Sequence, residues 1–202
     1  MEVRLQPTKE RISYQVILLA GACALAALLL FVTNWATKPI ITQRILEDQN
    51  ALLREVLAGQ PYSNDVFSNR QLIEYEGKLF ELYRVEDENQ QLINWVIRGD
   101  QEGYSGTIRF LVGLKISGEI IGVRIISHSE TPGLGDKIEA EKSSWILSFA
   151  KRTLENTGVW AVKKDGGDFD QFSGATITPR AVVKGVHQAL LALESYQGAN
   201  NE

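Results

Sequence analysis

The run YQVILLAGACALAALLLFVTNW, from Tyr14 to Trp35, contains no charged residue. About 20 such residues, wound as a helix, reach across the ~30 Å hydrocarbon layer of a bilayer. A helix apolar on every face either lies deep in a large core or crosses a membrane. A cleaved signal peptide is the competing reading, but its apolar region spans only about 7–15 residues. Length favours an uncleaved anchor. Tyr14 and Trp35 fall where interfacial aromatic residues are expected. Arg4, Lys9 and Arg11 precede the run, and Lys38 and Arg44 follow it. The small basic excess on the N-terminal side places that end in the cytoplasm and the rest of the chain outside it. The organisation expected is a cytoplasmic segment over residues 1–13, a transmembrane helix over 14–35, a stalk helix over 36–59 and an extracytoplasmic domain over 60–202.

The remainder of the chain is long enough to bury a core. A net charge of −4 argues against a nucleic-acid partner, which would want a basic face. The single cysteine, Cys23, lies in the apolar run, so an intrachain disulfide is impossible. No cysteine cluster offers zinc or iron–sulfur ligation. His128 and His187 are far apart in sequence, so no metal site is expected from them.

Periodicity supplies the elements. After Pro39, the residues Ile41, Ile45, Leu52 and Val56 recur near helical spacing, with Gly59 as a C-cap. Residues 60–70 are polar and turn-rich, a loop. Lys78–Val85 and Leu92–Arg98 are rich in aromatic and β-branched residues, and the polar stretch between them makes a hairpin. Thr107–Ile116 and Glu119–Ser127 make a second hairpin around Ser117-Gly118. Sequential strands joined this way are antiparallel. Trp145, Ile146 and Phe149 suggest a helix over Ile138–Leu154 that packs on the sheet. Trp160–Lys163 reads as a short strand. A last helix runs from Pro179 to about Tyr196, with Val182, Val186, Ala189, Leu190 and Leu193 on one face. The fold class is α+β: an N-terminal helix, then an antiparallel sheet with packed helices.

Two loops carry the candidate chemistry. In DQFSGATITPR, three hydroxyl residues, Ser173, Thr176 and Thr178, crowd in front of Pro179. Proline favours the first helical position, which makes Thr178 the N-cap. Thr176 then has no structural task. A helix N-terminus attracts phosphate, and Gly174 lets a backbone approach closely, although a merely capped loop is the commoner meaning of so short a motif. The second loop, ETPGLGD, follows a strand. It has only a GxG pattern and no Walker lysine. Its plainer reading is a turn. Its functional reading is a surface of small residues for a planar ring, with Glu130 and Thr131 as polar contacts and Gly133 and Gly135 leaving the ring unobstructed. Lys163 and Lys164 precede a tight turn, where solvated lysines are the plainer reading and a cation near a flavin, favouring its anionic reduced form, is the functional one. His128 either works as an acid–base group or simply closes a strand. Asp165, Asp168 and Asp170 lack the distal glutamate of a calcium loop.

Together these stretches resemble a known family. DQFSGAT resembles the flavinylation motif of FMN-binding domains in the Rnf and Na⁺-pumping NADH:quinone reductase complexes. GYSG at Gly103–Gly106, SETPGLGDKI at Ser129–Ile138 and WAVKKDGGDFDQFSGATITPRAVV at Trp160–Val183 extend the likeness. With the anchor, it is most similar to the G subunit of the Rnf ion-translocating ferredoxin:NAD⁺ oxidoreductase. The resemblance implies FMN joined through its phosphate to Thr176 as a phosphoester. Ser173, Gly174, Ala175, Glu130, Thr131, Gly133, Leu134, Gly135 and Lys163 would surround it. It further implies an electron-carrying role without turnover of its own, attachment by a flavin transferase after export with FAD as donor, and other membrane and peripheral subunits of the complex as partners. Membrane lipid surrounds the anchor, and nucleic acid is no partner. The C subunit of the Na⁺-pumping quinone reductase and a membrane-anchored, non-redox binding domain remain alternatives.

Overall fold

A computed structural model of the chain describes residues 8–200, so residues 1–7 of the expected cytoplasmic segment lie outside the described residues. The chain divides into two units at Gln49/Asn50.

The first unit is the greater part of helix α1, Thr8–Val56. It is long and apolar enough to cross a membrane, and side chains such as Leu19, Leu30 and Phe31 are exposed. Thr33 and Thr37 return their hydroxyls to the carbonyls of Leu29 and Thr33, at 2.7 and 2.8 Å, so neither leaves an unpaired polar group on the apolar rod. α1 is continuous through Pro39. Proline's fixed φ is already helical, and it forfeits a single N–H bond.

The second unit begins with the last turns of α1. The helix ends at Val56 with a C-terminal cap in which Gly59 N–H donates to Arg54 O at 2.8 Å and Ala58 N–H to Glu55 O at 3.2 Å. The left-handed position falls first on Ala58, φ 50°, with Gly59 next, one residue earlier than the glycine suggested.

Five strands follow: β1 Arg70–Tyr75, β2 Lys78–Glu86, β3 Leu92–Glu102, β4 Thr107–Lys115 and β5 Ile120–Ser127. They pair antiparallel in sequence order. The α+β class and both expected hairpins are therefore present. β1 is additional to the strands expected from the sequence. It joins β2 through Glu76-Gly77, both at positive φ, the geometry of a two-residue hairpin turn.

Alternation gives the sheet two buried faces. Phe80 and Leu82 of β2, Ile97 of β3, and Phe110 and Val112 of β4 belong to one core. Tyr83, Val85, Val96 and Leu111 turn to the other. The first face is covered by helix α2, Ile177–Asn200, through Val182, Val183, Val186, Ala189, Leu190 and Leu193. The second is covered by Leu53, Val56, Leu57 and Val66. Paired glycines make room there: a Cβ on Gly113 would lie 2.5 Å from Val56 O, and one on its partner Gly122 would lie 3.0 Å away.

Two expected elements are corrected. Residues 138–154 do not form one helix. Short 3₁₀ turns occupy Asp136–Ile138 and Ser144–Phe149, the second capped by Ser143 Oγ accepting from Trp145 N–H at 3.1 Å. The backbone beyond is drawn to the sheet edge: Lys151 N–H donates to Ile120 O at 2.7 Å, and Ile120 N–H to Arg152 O at 2.9 Å. Trp145, Ile146 and Phe149 are still buried against the sheet. Trp160–Lys163 forms no strand. A single bridge joins Val162 to Phe169, and Lys163–Asp165 closes as a 3₁₀ turn.

Candidate functional site

The DQFSGAT loop is seated on aromatic side chains. Trp145 Nε1 donates to Asp170 O at 2.7 Å, and its ring meets Phe172 edge-on at 5.1 Å. Phe169, one residue before the loop, stacks on Phe149 at 4.6 Å. Gly167 passes so close to Ala161 that a Cβ there would lie 2.0 Å from its carbonyl oxygen. The loop then turns at Ser173-Gly174. Ala175 N–H donates to Phe172 O at 3.2 Å, and Gly174 takes φ 80°, as the third residue of a type II turn requires. Leu134 of the other loop lies against it, 3.8 Å from where a Cβ would stand.

α2 begins at Ile177, so Thr176 occupies the N-cap position and Thr178 is already helical. Arg180 N–H makes the first helical bond, to Thr176 O at 3.3 Å. The expectation that Thr178 caps the helix is overturned. Proline is tolerated throughout the first turn, where N–H groups have no partner, and Pro179 sits in that turn's third position. Thr178 is 1% exposed and donates its hydroxyl to Glu130 Oε2. The Thr176 side chain is half-buried, faces the cleft described next and makes no hydrogen bond among the described residues.

Glu130, 5% exposed, ties three segments together. Its Oε1 accepts from the backbone N–H groups of Tyr104 and Ser105, at 2.9 and 3.0 Å, in the turn between β3 and β4. Its Oε2 receives Thr178 from α2. Its own N–H donates to His128 Nδ1 at 3.0 Å. Two glycines leave space for it. A Cβ on Gly103 would lie 2.5 Å from Glu130 Oε1, and one on Gly135 would lie 3.0 Å from Oε2 and 2.9 Å from Thr178 Oγ1. The missing side chain of Gly135 thus clears the Glu130–Thr178 bond. Gly133 differs: it takes φ 77°, with open space around it.

These segments enclose a cleft of about 580 Å³, the size of an ordinary small-molecule site. Of the candidate residues, Glu130, Thr131, Leu134, Gly135, Gly174, Ala175 and Thr176 line it. Ser173 is exposed on the turn, and Gly133 and Lys163 stand outside the lining. Lys163 Nζ pairs with Asp170 Oδ1 at 2.7 Å, and Lys164 takes the place on the cleft. Tyr104, Ile177 and Thr178 complete the wall, and sequence reasoning assigns none of them a place there. Tyr104, Leu134 and Ile177 are 70%, 44% and 47% exposed, an apolar rim around a polar floor. The GYSG turn holds the available clue to Tyr104.

Charge pairs brace the surroundings. Arg180, in the first turn of α2, grips Asp165 through two bonds of 2.5 and 2.6 Å and holds its carboxyl below the usual range. Asp136 is lowered by the Gly133 N–H and then by Lys142, whose Nζ is 3.0 Å away. Lys142 also lowers Glu139, at 2.9 Å. No group of three or more metal-ligating side chains occurs among the described residues.

Residues 103–191, from the GYSG turn into α2, match the FMN-binding domain family. The crystal structure of Shewanella oneidensis NqrC is similar over 58% of this chain and 62% of that one, at 24% identity and a TM-score of 0.42. The G subunit of the ion-translocating oxidoreductase complex of Stutzerimonas stutzeri is 45% identical over 185 residues, 90% of this chain and 81% of that protein. Its counterpart in Vibrio atlanticus is 41% identical over 195 residues, 93% and 90% of the two chains. Such identity, over nearly the whole of both partners, establishes that the chain belongs to the family of G subunits of Rnf-type ion-translocating oxidoreductase complexes.

Proposed function

We propose that the protein is a membrane-anchored electron-transfer subunit that carries FMN as a phosphoester on Thr176. The carrying observation is the contrast between two nearby hydroxyls: Thr176 opens on the cleft without a partner among the described residues, whereas Thr178 is buried and bonded to Glu130.

The residues present fit this group. At the start of α2 the N–H groups of Ile177 and Thr178 have no carbonyl one turn earlier to bond. Together with the helix dipole they favour a phosphate beside Thr176. Lys164 adds positive charge, and Tyr104, Leu134 and Ile177 supply apolar surface for a ring. Bound FMN supplies one- and two-electron chemistry; the chain supplies place and electrostatics. In attachment, a P–O bond forms to Thr176 Oγ as the pyrophosphate bond of FAD breaks and AMP leaves. The hydroxyl proton passes to a base of the flavin transferase, so the cleft needs none.

α1 anchors this domain in the cytoplasmic membrane with the flavin on its outer face, and the redox partners are other subunits of the complex. The length of the uncharged run and the basic excess before it support that orientation. The deciding experiment is intact-mass analysis after co-expression with a flavin transferase. Wild type should gain one FMN phosphoryl adduct and Thr176→Ala none. An adduct retained in the variant, or absent from wild type, overturns the assignment. A reporter active only outside the cytoplasm, fused after Glu202, checks the orientation, and a silent reporter reverses it.

A further inference from the structure

Glu130 is held from two sides, and its second side leads out of the flavin cleft. The carboxylate faces Tyr104, Ser105 and Thr178. The backbone N–H points the other way, to His128 Nδ1 at 3.0 Å. The His128 ring is largely buried, its side chain 11% exposed, and Nε2 lies 2.6 Å from Glu139 Oε1. His128 does not line the flavin cleft. It lines a separate hollow of about 410 Å³ on the surface of the same domain.

The tautomer follows from these contacts. A nitrogen that accepts from an N–H carries no proton, so Nδ1 is bare and Nε2 donates to Glu139. A second proton, on Nδ1, would set two donors face to face, and Glu130 N–H would lose its partner. The charged groups around the ring are Glu139 and its neighbour Lys142, Glu141, Arg124 of β5, and Glu55, which holds Arg124 at 2.7 Å.

We propose that His128 is a positioning residue for the flavin cleft: by accepting from Glu130 N–H it fixes the loop whose carboxylate locks the start of α2, and its protonation from the second hollow releases that lock. The proposal rests on the flavin reading above. It adds that the cleft responds to a proton bound outside it.

Two near-isosteres separate the ring nitrogens. His128→Asn places its Oδ1 where Nδ1 stands, so it keeps the acceptor and cannot titrate. His128→Gln reaches toward Glu139 but offers Glu130 N–H no acceptor. The full-length protein in detergent is compared by hydrogen–deuterium exchange of the segment around Glu130, with and without flavin, between about pH 8 and about pH 5. Exchange rates are first corrected for their intrinsic pH dependence. Wild type should show about tenfold weaker protection at the acidic end, the size of one lost hydrogen bond. His128→Asn should keep full protection at both ends, and His128→Gln should show the same roughly tenfold weaker protection at both. In flavin-loaded protein, the absorption band and midpoint potential should move with protection: pH-dependent in wild type beyond the flavin's own proton coupling, steady in Asn, shifted in Gln. If Asn and Gln behave alike, or wild-type protection is unchanged by acid, the inference fails. Absence of flavin from wild type would instead sink the flavin reading, while the exchange data on the flavin-free protein would still judge His128.

Discussion

Thr178 Oγ1 donates to Glu130 Oε2 and so joins the first turn of α2 to the loop after β5, across 48 residues of chain. Both groups are buried, at 1% and 5% exposure. Thr178→Val keeps the shape and removes the donor, leaving one carboxylate oxygen unsatisfied. The expected cost is about 1–3 kcal/mol. Thr178→Ser should cost less, because the hydroxyl survives. Denaturant midpoints of the two variants decide it. A Val variant as stable as wild type would mean that the bond contributes nothing.

The two glycines of PGLG should respond differently. At Gly135, an added methyl would press on Glu130 and Thr178, 2.9–3.0 Å away, so Gly135→Ala should loosen the lock at a cost of about 1–3 kcal/mol, as overpacking does. It should also move the flavin absorption band. At Gly133, the methyl meets open space and only the left-handed backbone objects, at about 1–2 kcal/mol. Gly133→Ala should therefore leave the spectrum in place. Thermal melts paired with visible spectra test both, and a spectral shift at Gly133 alone would invert the assignment.

Lys164, rather than Lys163, lines the cleft, and Lys163 is engaged with Asp170. A cation beside a flavin stabilises the anionic reduced form more than the neutral oxidised one. Lys164→Gln should lower the midpoint potential, Lys164→Arg should restore it, and Lys163→Gln should leave it near wild type. Spectroelectrochemical titration is the check. Equal shifts at both lysines would place the flavin elsewhere.

Acid should weaken the domain through its paired carboxylates. Asp165 is lowered by its bonds to Arg180, Asp136 by the Gly133 N–H and Lys142, and Glu139 by Lys142. Each binds its proton less readily folded than unfolded. Their contribution is therefore present above about pH 4, the unfolded carboxylate range, and is lost as pH falls below it. Melting temperatures measured from about pH 6 to about pH 3 should decline, less steeply in Asp165→Asn. An identical slope in that variant would remove the Asp165–Arg180 pair from the account.

Much of the fold is legible because period-2 alternation is local information. Phe80 and Leu82 against Tyr83 and Val85 name two faces before any partner strand is known. β1 escapes such a reading because its turn, Glu76-Gly77, lacks the usual Asn or Asp at the first positive-φ position. The Ile138–Leu154 helix fails because Lys151 and Arg152 spend their backbone groups on Ile120, a contact no local pattern records. The site divides the same way. The motif singles out Thr176, but Thr176 is not without a structural task, because it and not Thr178 holds the N-cap position of α2. The partners of Glu130 are hidden because they come from three separate segments.

The meander sets an order of events during synthesis. Every strand pairs with its neighbour in sequence, so the sheet can grow as the chain emerges. Its first face is partly covered by Trp145, Ile146 and Phe149 and is closed only when α2, the last described element, joins them. Sheet growth is thus early and local, and closure is late and long-range, down to Tyr196 meeting Gln71 across 125 residues. Thr176 stands at the first turn of that closing helix. The cleft takes shape when the core is sealed, so a ligand held there marks a chain that has finished folding.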